Sequence, residues 1–118
     1  MTSHIETGKK GEMLAANWLS QQGYIVIYRN WRFGKLEIDL IALHNEFIHF
    51  IEVKTRTTTR CGGPELSVDY KKFIHFQRAS QSFLALHKKY KWVQYDVVAV
   101  TLVPEQEPTV ELFSDVYF

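Results

Sequence analysis

Cysteine is nearly absent from this 118-residue chain. Cys61 stands alone, so no internal disulfide can form. That usage suits a reducing cytoplasm, which is the expected compartment. Long apolar runs are also missing. None approaches the ~20 residues needed to cross a bilayer, so no membrane-spanning helix is expected. The opening M-T-S-H-I-E-T-G-K-K holds no apolar core segment, and no signal peptide is expected there. Excess charge of one sign is lacking too, with a net charge of only +1 at pH 7. Composition alone therefore does not mark a nucleic-acid binder, and the distribution of charge matters more than its sum.

Several motifs are absent as well. His4, His44, His49, His75 and His87 form no H-E-x-x-H or H-x-x-H pattern, and there is no C-x-x-C. Both gaps argue against a zinc site. No G-x-S-x-G elbow occurs, and no nucleophile signature surrounds Cys61. The stretch Gly8-Lys9-Lys10-Gly11 lacks the spacing of a phosphate-binding P-loop. No internal repeat or domain boundary stands out. With 46% hydrophobic and 23% charged residues, the composition is that of a soluble globular protein, and the length fits a single domain over residues 1–118 with one core.

What is present centres on two neighbouring segments. Leu36 to Leu43 reads L-E-I-D-L-I-A-L, and Phe47 to Thr55 reads F-I-H-F-I-E-V-K-T. Both have the Ile, Val, Phe and Leu content of buried strands. The connector His44-Asn45-Glu46 suits a hairpin, although it lacks the Asn-Gly or Asp-Gly pair that favours the tightest turns. Alternation places Glu37 and Asp39 on the face of Ile41 and Leu43. It places Glu52 and Lys54 on the face of Ile48 and Phe50. Three carboxylates and a lysine thus interrupt apolar faces, where an unpaired buried charge costs several kcal/mol, on the order of the loss from breaking a buried pair. A solvated edge-strand pair would account for any one of them. Four at matched depths call for each other, a solvated cleft, or a metal ion.

The remaining chain builds around this hairpin. Residues 5–22 predict an amphipathic helix with Met13, Leu14, Ala16, Trp18 and Leu19 on its apolar side and Gly23 as its stop. Ser3 with Glu6 offers a capping box, with Thr7 as a rival cap. Gly8 and Gly11 weaken its first turns. Residues 24–32 predict a strand that completes an antiparallel meander. Residues 56–65, with Gly62, Gly63 and Pro64, are loop material: a closing loop or an ordinary linker. Ser67 and Asp69 can start a second helix reaching about Lys89, whose apolar side includes Phe73, Ile74, Phe76, Phe83, Leu84 and Leu86. Residues 92–103 predict a further strand and 109–113 a short last one. The order is αβββαβ(β), a mixed sheet with helices packed on it. Basic residues flank the carboxylates on both sides: Arg29, Arg32 and Lys35 before them, then Lys54, Arg56, Arg60, Lys71, Lys72 and Arg78.

Oxygen ligands suit a hard cation such as Mg2+, with Mn2+ as a substitute. Asp39 and Glu52 on adjacent strands are the candidate metal ligands, helped by the Val53 carbonyl. Lys54 is the candidate for neutralising transition-state charge or orienting water. These are the components of phosphodiester hydrolysis. A lone E-x-K is common by chance, whereas an Asp in one strand followed by E-V-K in the next is more specific.

These residues carry a resemblance. Asp39 with Glu52-Val53-Lys54 is similar to the core of the PD-(D/E)xK, or restriction-endonuclease-like, nucleases. More closely, Gly8 to Glu12 followed by Ala15, Asn30-Trp31-Arg32, Glu37 to Ala42, and Ile51 to Arg56 resemble the small bacterial YraN family. Val68 with Lys72 and Tyr95 to Val98 continue the match over nearly the whole chain, with Leu36 where the family usually has glycine. The resemblance implies a restriction-endonuclease-like αβββαβ core similar to that of Holliday junction resolvases. It implies that Glu12 joins Asp39, Glu52 and Lys54 as a catalytic group. It also implies that Lys72 contacts phosphate, alongside Arg56. The expected activity is Mg2+-dependent cleavage of DNA, including branched DNA, by a protein able to form a homodimer. The alternatives are a nucleic-acid-binding or adaptor module that keeps the fold without chemistry, and a domain in which the four charges form only a structural network.

Overall fold

The computed structural model describes residues 4–57 and 70–115. Its order is α1 (His4–Gln21), β1 (Ile25–Phe33), β2 (Leu36–His44), β3 (Phe47–Arg56), α2 (Tyr70–Leu86), β4 (Trp92–Thr101) and β5 (Thr109–Phe113). The five strands form one mixed sheet in the order β1-β2-β3-β4-β5. β1, β2 and β3 are the expected antiparallel meander. The chain then passes through α2 and returns as β4, parallel to β3, and β5 runs antiparallel to β4. The expected caps Ser67 and Asp69, and the loop around Cys61, lie outside the described residues.

Two cores cover the two faces of the sheet. On one, α1 brings Ala15, Ala16 and Leu19 against Leu40, Ala42, Ile51, Val98 and Val100. On the other, α2 brings Phe76, Ala79 and Phe83, at helical spacing, against Ile38, Ile41, Ile48, Phe50 and Val97. Covering both faces explains why Ile48 to Ile51 and Val97 to Thr101 are buried without alternation. Met13 and Leu86, expected on the apolar sides of their helices, are instead exposed, because each lies off the buried stripe of its helix. Among the described residues no helix is long and apolar enough to cross a membrane.

Local signals set the boundaries. Helix α1 ends as the sequence suggests: Gly23 takes φ +95°, Tyr24 N–H donates to Leu19 O at 3.0 Å, and Gly23 N–H donates to Ser20 O at 3.1 Å. This pair of bonds satisfies carbonyls that the helix end would leave without partners. The β2–β3 turn is tight despite its composition. His44 pairs with Phe47, and the two residues between them, Asn45 and Glu46, have φ +50° and +71°. That geometry matches the right-handed twist of the strands, at a steric cost for glutamate.

Strict alternation fails in β1, where the register with β2 shifts between Val26 and Tyr28, and again in β2. Ile38 and Ile41 both join the α2-side core, although three positions separate them. The expected continuous face Glu37–Asp39–Ile41–Leu43 is therefore interrupted. Asp39 sits at the slip. Its neighbours pair with β1 as Leu40 with Arg29 and Ile38 with Trp31, and Asn30 between those partners has φ +54°. The β2–β3 ladder also stops at Leu40 and Ile51. The strands thus part at Asp39 and Glu52.

Candidate active site

The parting of β2 and β3 opens a cleft of about 360 Å3 on the α2 side of the sheet, lined by Glu37, Asp39, Glu52, Val53 and Lys72 among others. Asp39 Oδ2 accepts a hydrogen bond from Val53 N–H at 2.8 Å. A side chain here replaces the missing backbone rung, which fixes the carboxylate at the fork. Glu52, on the face of Phe50 and Ile48, has a side chain only 17% exposed. Lys72 reaches in from the first turn of α2, its Nζ 3.5 Å from Glu52 Oε1.

Electrostatics single out Asp39. Burial pushes its carboxyl up from an ordinary 3.8 to about 7. The Val53 hydrogen bond opposes the rise, while the negative charges of Glu12, Glu52 and Glu37 add to it. Burial disfavours the carboxylate and clustered negative charge disfavours it further. Burial is the largest cause of the rise, and the three neighbouring carboxylates supply the part of it that would also favour a cation.

Glu12 is carried to this region by α1, across the sheet layer from α2. Gly11 explains how. A Cβ at Gly11 would overlap Thr55 Oγ1 and lie 2.9 Å from the Thr55 Cβ. Only glycine lets the helix backbone approach β3 this closely, which sets Glu12 near enough for its charge to act on Asp39. The glycine that weakens the helix by propensity is thus required by packing.

The structure brings Asp39, Glu52 and Lys72 together in the cleft, with Glu12 acting through its field. Lys54 lies two positions beyond Glu52 on the same face of β3, and the cleft lining ends at Val53. Arg56 is anchored to the neighbouring strand, its Nε donating to Thr101 Oγ1 at 3.2 Å. Lys35, His75 and Phe76 also line the cleft. Lys35 was visible only as one of a flanking basic group, and His75 carried no motif.

A buried polar pair occupies the opposite, α1 side of the sheet. His49 Nδ1 and Asp96 Oδ2 are 2.7 Å apart, and Asp96 is fully buried. Asp96 Oδ1 accepts from Gln94 Nε2 at 3.0 Å and from Asp115 N–H at 2.8 Å. Tyr24 packs edge-on against His49. Burial, then the Asp96 charge, raises the Tyr24 hydroxyl pKa.

Among the described residues, no three His, Cys, Asp or Glu side chains converge as a complete metal-ligand group. Two carboxylates facing one open cleft do fit a Mg2+-type ion, which usually takes one or two carboxylates and keeps several waters.

Fold and cleft together define a class: a small mixed α/β domain with acidic side chains gathered where two central strands separate. The profile of "Uncharacterised protein family UPF0102" matches residues 11–100. A UPF0102 protein of Cytophaga hutchinsonii is 44% identical over 98 residues, covering 83% of this chain and 87% of that protein. One from Phocaeicola vulgatus is 37% identical over 119 residues, covering 100% of this chain and 97% of its own. One from Thermodesulfovibrio yellowstonii is 40% identical over 98 residues, covering 83% and 88%. The chain belongs to the UPF0102, or YraN, family.

Proposed function

We propose that this protein is a Mg2+-dependent endonuclease of the restriction-endonuclease-like kind, hydrolysing DNA phosphodiester bonds and acting on branched DNA. One observation carries the reading: Asp39 and Glu52, from strands that part at those residues, face a single cleft in which burial first, and the neighbouring carboxylates second, raise the Asp39 carboxyl to about 7. Asp39 and Glu52 would hold the ion. When bound, Mg2+ supplies Lewis-acid stabilisation of charge developing on phosphoryl oxygens. Lys54, on the face of Glu52, supplies positive charge to the same transition state. Glu12 supports the cation electrostatically or accepts a proton from the attacking water. Lys72, exposed over most of its length, can exchange its Glu52 partner for a phosphate. Arg56 adds positive charge further along β3.

The test is cleavage of flapped, four-way and linear duplex DNA in Mg2+ or Mn2+. The wild-type chain should cut at least one of them, and Asp39→Asn and Lys54→Ala should each abolish cutting while the protein stays folded. Cleavage unchanged in both variants would remove the assignment.

A second reading rests on the Lys72–Glu52 ion pair, which engages a proposed metal ligand with a protein cation. In that reading the domain binds nucleic acid without cutting it. Calorimetry separates the two: no heat with Mg2+ or Mn2+, with DNA binding intact, favours the binding module.

A further inference from the structure

The tip of the β1–β2 hairpin carries an organised group of rings and cations that the catalytic reading does not use. Phe83 is fully buried in the α2-side core. Trp31 packs edge-on against it, ring centroids 5.3 Å apart at 84°. Phe33, two residues further along the same face of β1, lies parallel to Trp31 at 6.2 Å and 11°. Phe33 is 50% exposed. The three rings form a ladder from the core to solvent, and the outermost is held by the two beneath it.

Lone exposed aromatics are ordinary and need no explanation. This one differs in support, charge and position. Its cross-strand partner is Leu36, which lines the acidic cleft together with Lys35. Lys35 is exposed at the turn, and the Arg32 side chain is 70% exposed, meeting Glu37 only at 3.8 Å. A flat ring supported by packed rings, with an exposed lysine at the adjoining turn, presents both halves of a nucleotide's requirements. The ring stacks a base, and the lysine meets a neighbouring phosphate. Duplex DNA keeps its bases stacked on each other and offers such a ring no face.

We infer that Phe33 is a stacking platform for an unpaired nucleotide of a DNA strand whose neighbouring phosphates lie along Lys35 toward the cleft. The substrate class is therefore DNA with a single-stranded or unstacked base beside the cleavage point, such as a flap or a branch. This rests on the nuclease reading for its placement of the phosphate, but not for its test. Phe33 and Lys35 are binding residues here, and neither takes part in the chemistry.

The test is equilibrium binding of the full chain in EDTA, where nothing is cut, to labelled single-stranded and duplex oligonucleotides at low salt. Phe33→Ala should weaken single-strand binding about tenfold, within the range of one base–aromatic contact, and leave duplex binding unchanged. Phe33→Trp should retain single-strand binding, whereas Phe33→Leu should not. A 2-aminopurine base in the strand should be quenched by wild type and Phe33→Trp but not by Phe33→Ala. Circular dichroism confirms that each variant is folded. Unchanged binding of Phe33→Ala, or full binding by Phe33→Leu, would overturn the inference even if DNA cleavage is found. A Phe33→Ala change that splits a dimer on gel filtration and spares single-strand affinity would also overturn it, and would assign the ring to contact with a second copy. Absence of cleavage with the Phe33 pattern intact would overturn only the nuclease reading.

Discussion

Asp39 shows how one residue couples stability to the proposed activity. Its folded-state pKa of about 7 lies above the ordinary 3.8, so the folded chain holds this proton more tightly than the unfolded chain does. Stability contributed by the protonated carboxyl is fully present below about pH 4. It is lost as pH rises through about 7. Asp39→Asn keeps an acceptor for Val53 N–H and removes the charge. It is expected to stabilise the protein by about 1–3 kcal/mol at pH 8, with no gain near pH 4, while abolishing cleavage. Chemical denaturation at the two pH values checks this. A bound cation should offset the same cost. Millimolar Mg2+ is therefore expected to raise Tm at pH 8, and EDTA to reverse the rise, with little effect at pH 5, where the proton occupies the carboxyl. The identity of these charged residues was legible in the sequence because E-I-D and E-V-K stand out from apolar strands. Their grouping was legible less completely. Alternation assigned Glu37 and Asp39 to the face of Ile41, and nothing in the composition marked the slip between Ile38 and Ile41.

At the scale of elements, two contacts set how the pieces meet. The approach of α1 to β3 depends on Gly11. Propensity alone would favour alanine there by up to ~1 kcal/mol. The overlap with Thr55 decides the sign, because a β-branched side chain on a central strand has little room to move. Gly11→Ala is expected to cost about 1–2 kcal/mol, within the usual range for overpacking. Thr55→Ala in the same chain should recover most of the loss, and a double-mutant cycle by urea unfolding reads the coupling. The β2–β3 turn carries the opposite opportunity. Glu46 at φ +71° occupies a conformation that glycine adopts without steric cost. Glu46→Gly should therefore stabilise by roughly 1 kcal/mol and raise Tm by a few degrees. Strand positions and the meander could be read from apolar runs and breakers. The turn type could not, because Asn45-Glu46 contains no glycine to announce it. The importance of Gly11 was equally hidden, since close packing leaves no local signal in a helix.

The whole molecule depends on a pairing that no local pattern reveals. β3 and β4 lie side by side only because α2 carries the chain back in parallel, and their register puts His49 and Asp96 on one buried face, 47 residues apart in sequence. Asp96 also holds Gln94 and, through Asp115 N–H, the chain that follows β5. One carboxylate thus joins the central strands to the C-terminal segment. Replacing it leaves the buried His49 ring without its partner and removes the acceptor of the less buried Gln94 and Asp115 donors, and breaking a buried pair in this way costs about 3–5 kcal/mol. Asp96→Ala is accordingly expected to lose that much stability, seen as a lower urea midpoint with an unchanged slope if unfolding stays two-state. The pair lies on the face of the sheet opposite Glu52, with β3 between it and the cleft. Heat measured on titrating Mn2+ into folded Asp96→Ala, at low temperature and without denaturant, should therefore match wild type. A lost cation response in that folded variant would mean that the dyad positions the cleft as well as securing the sheet.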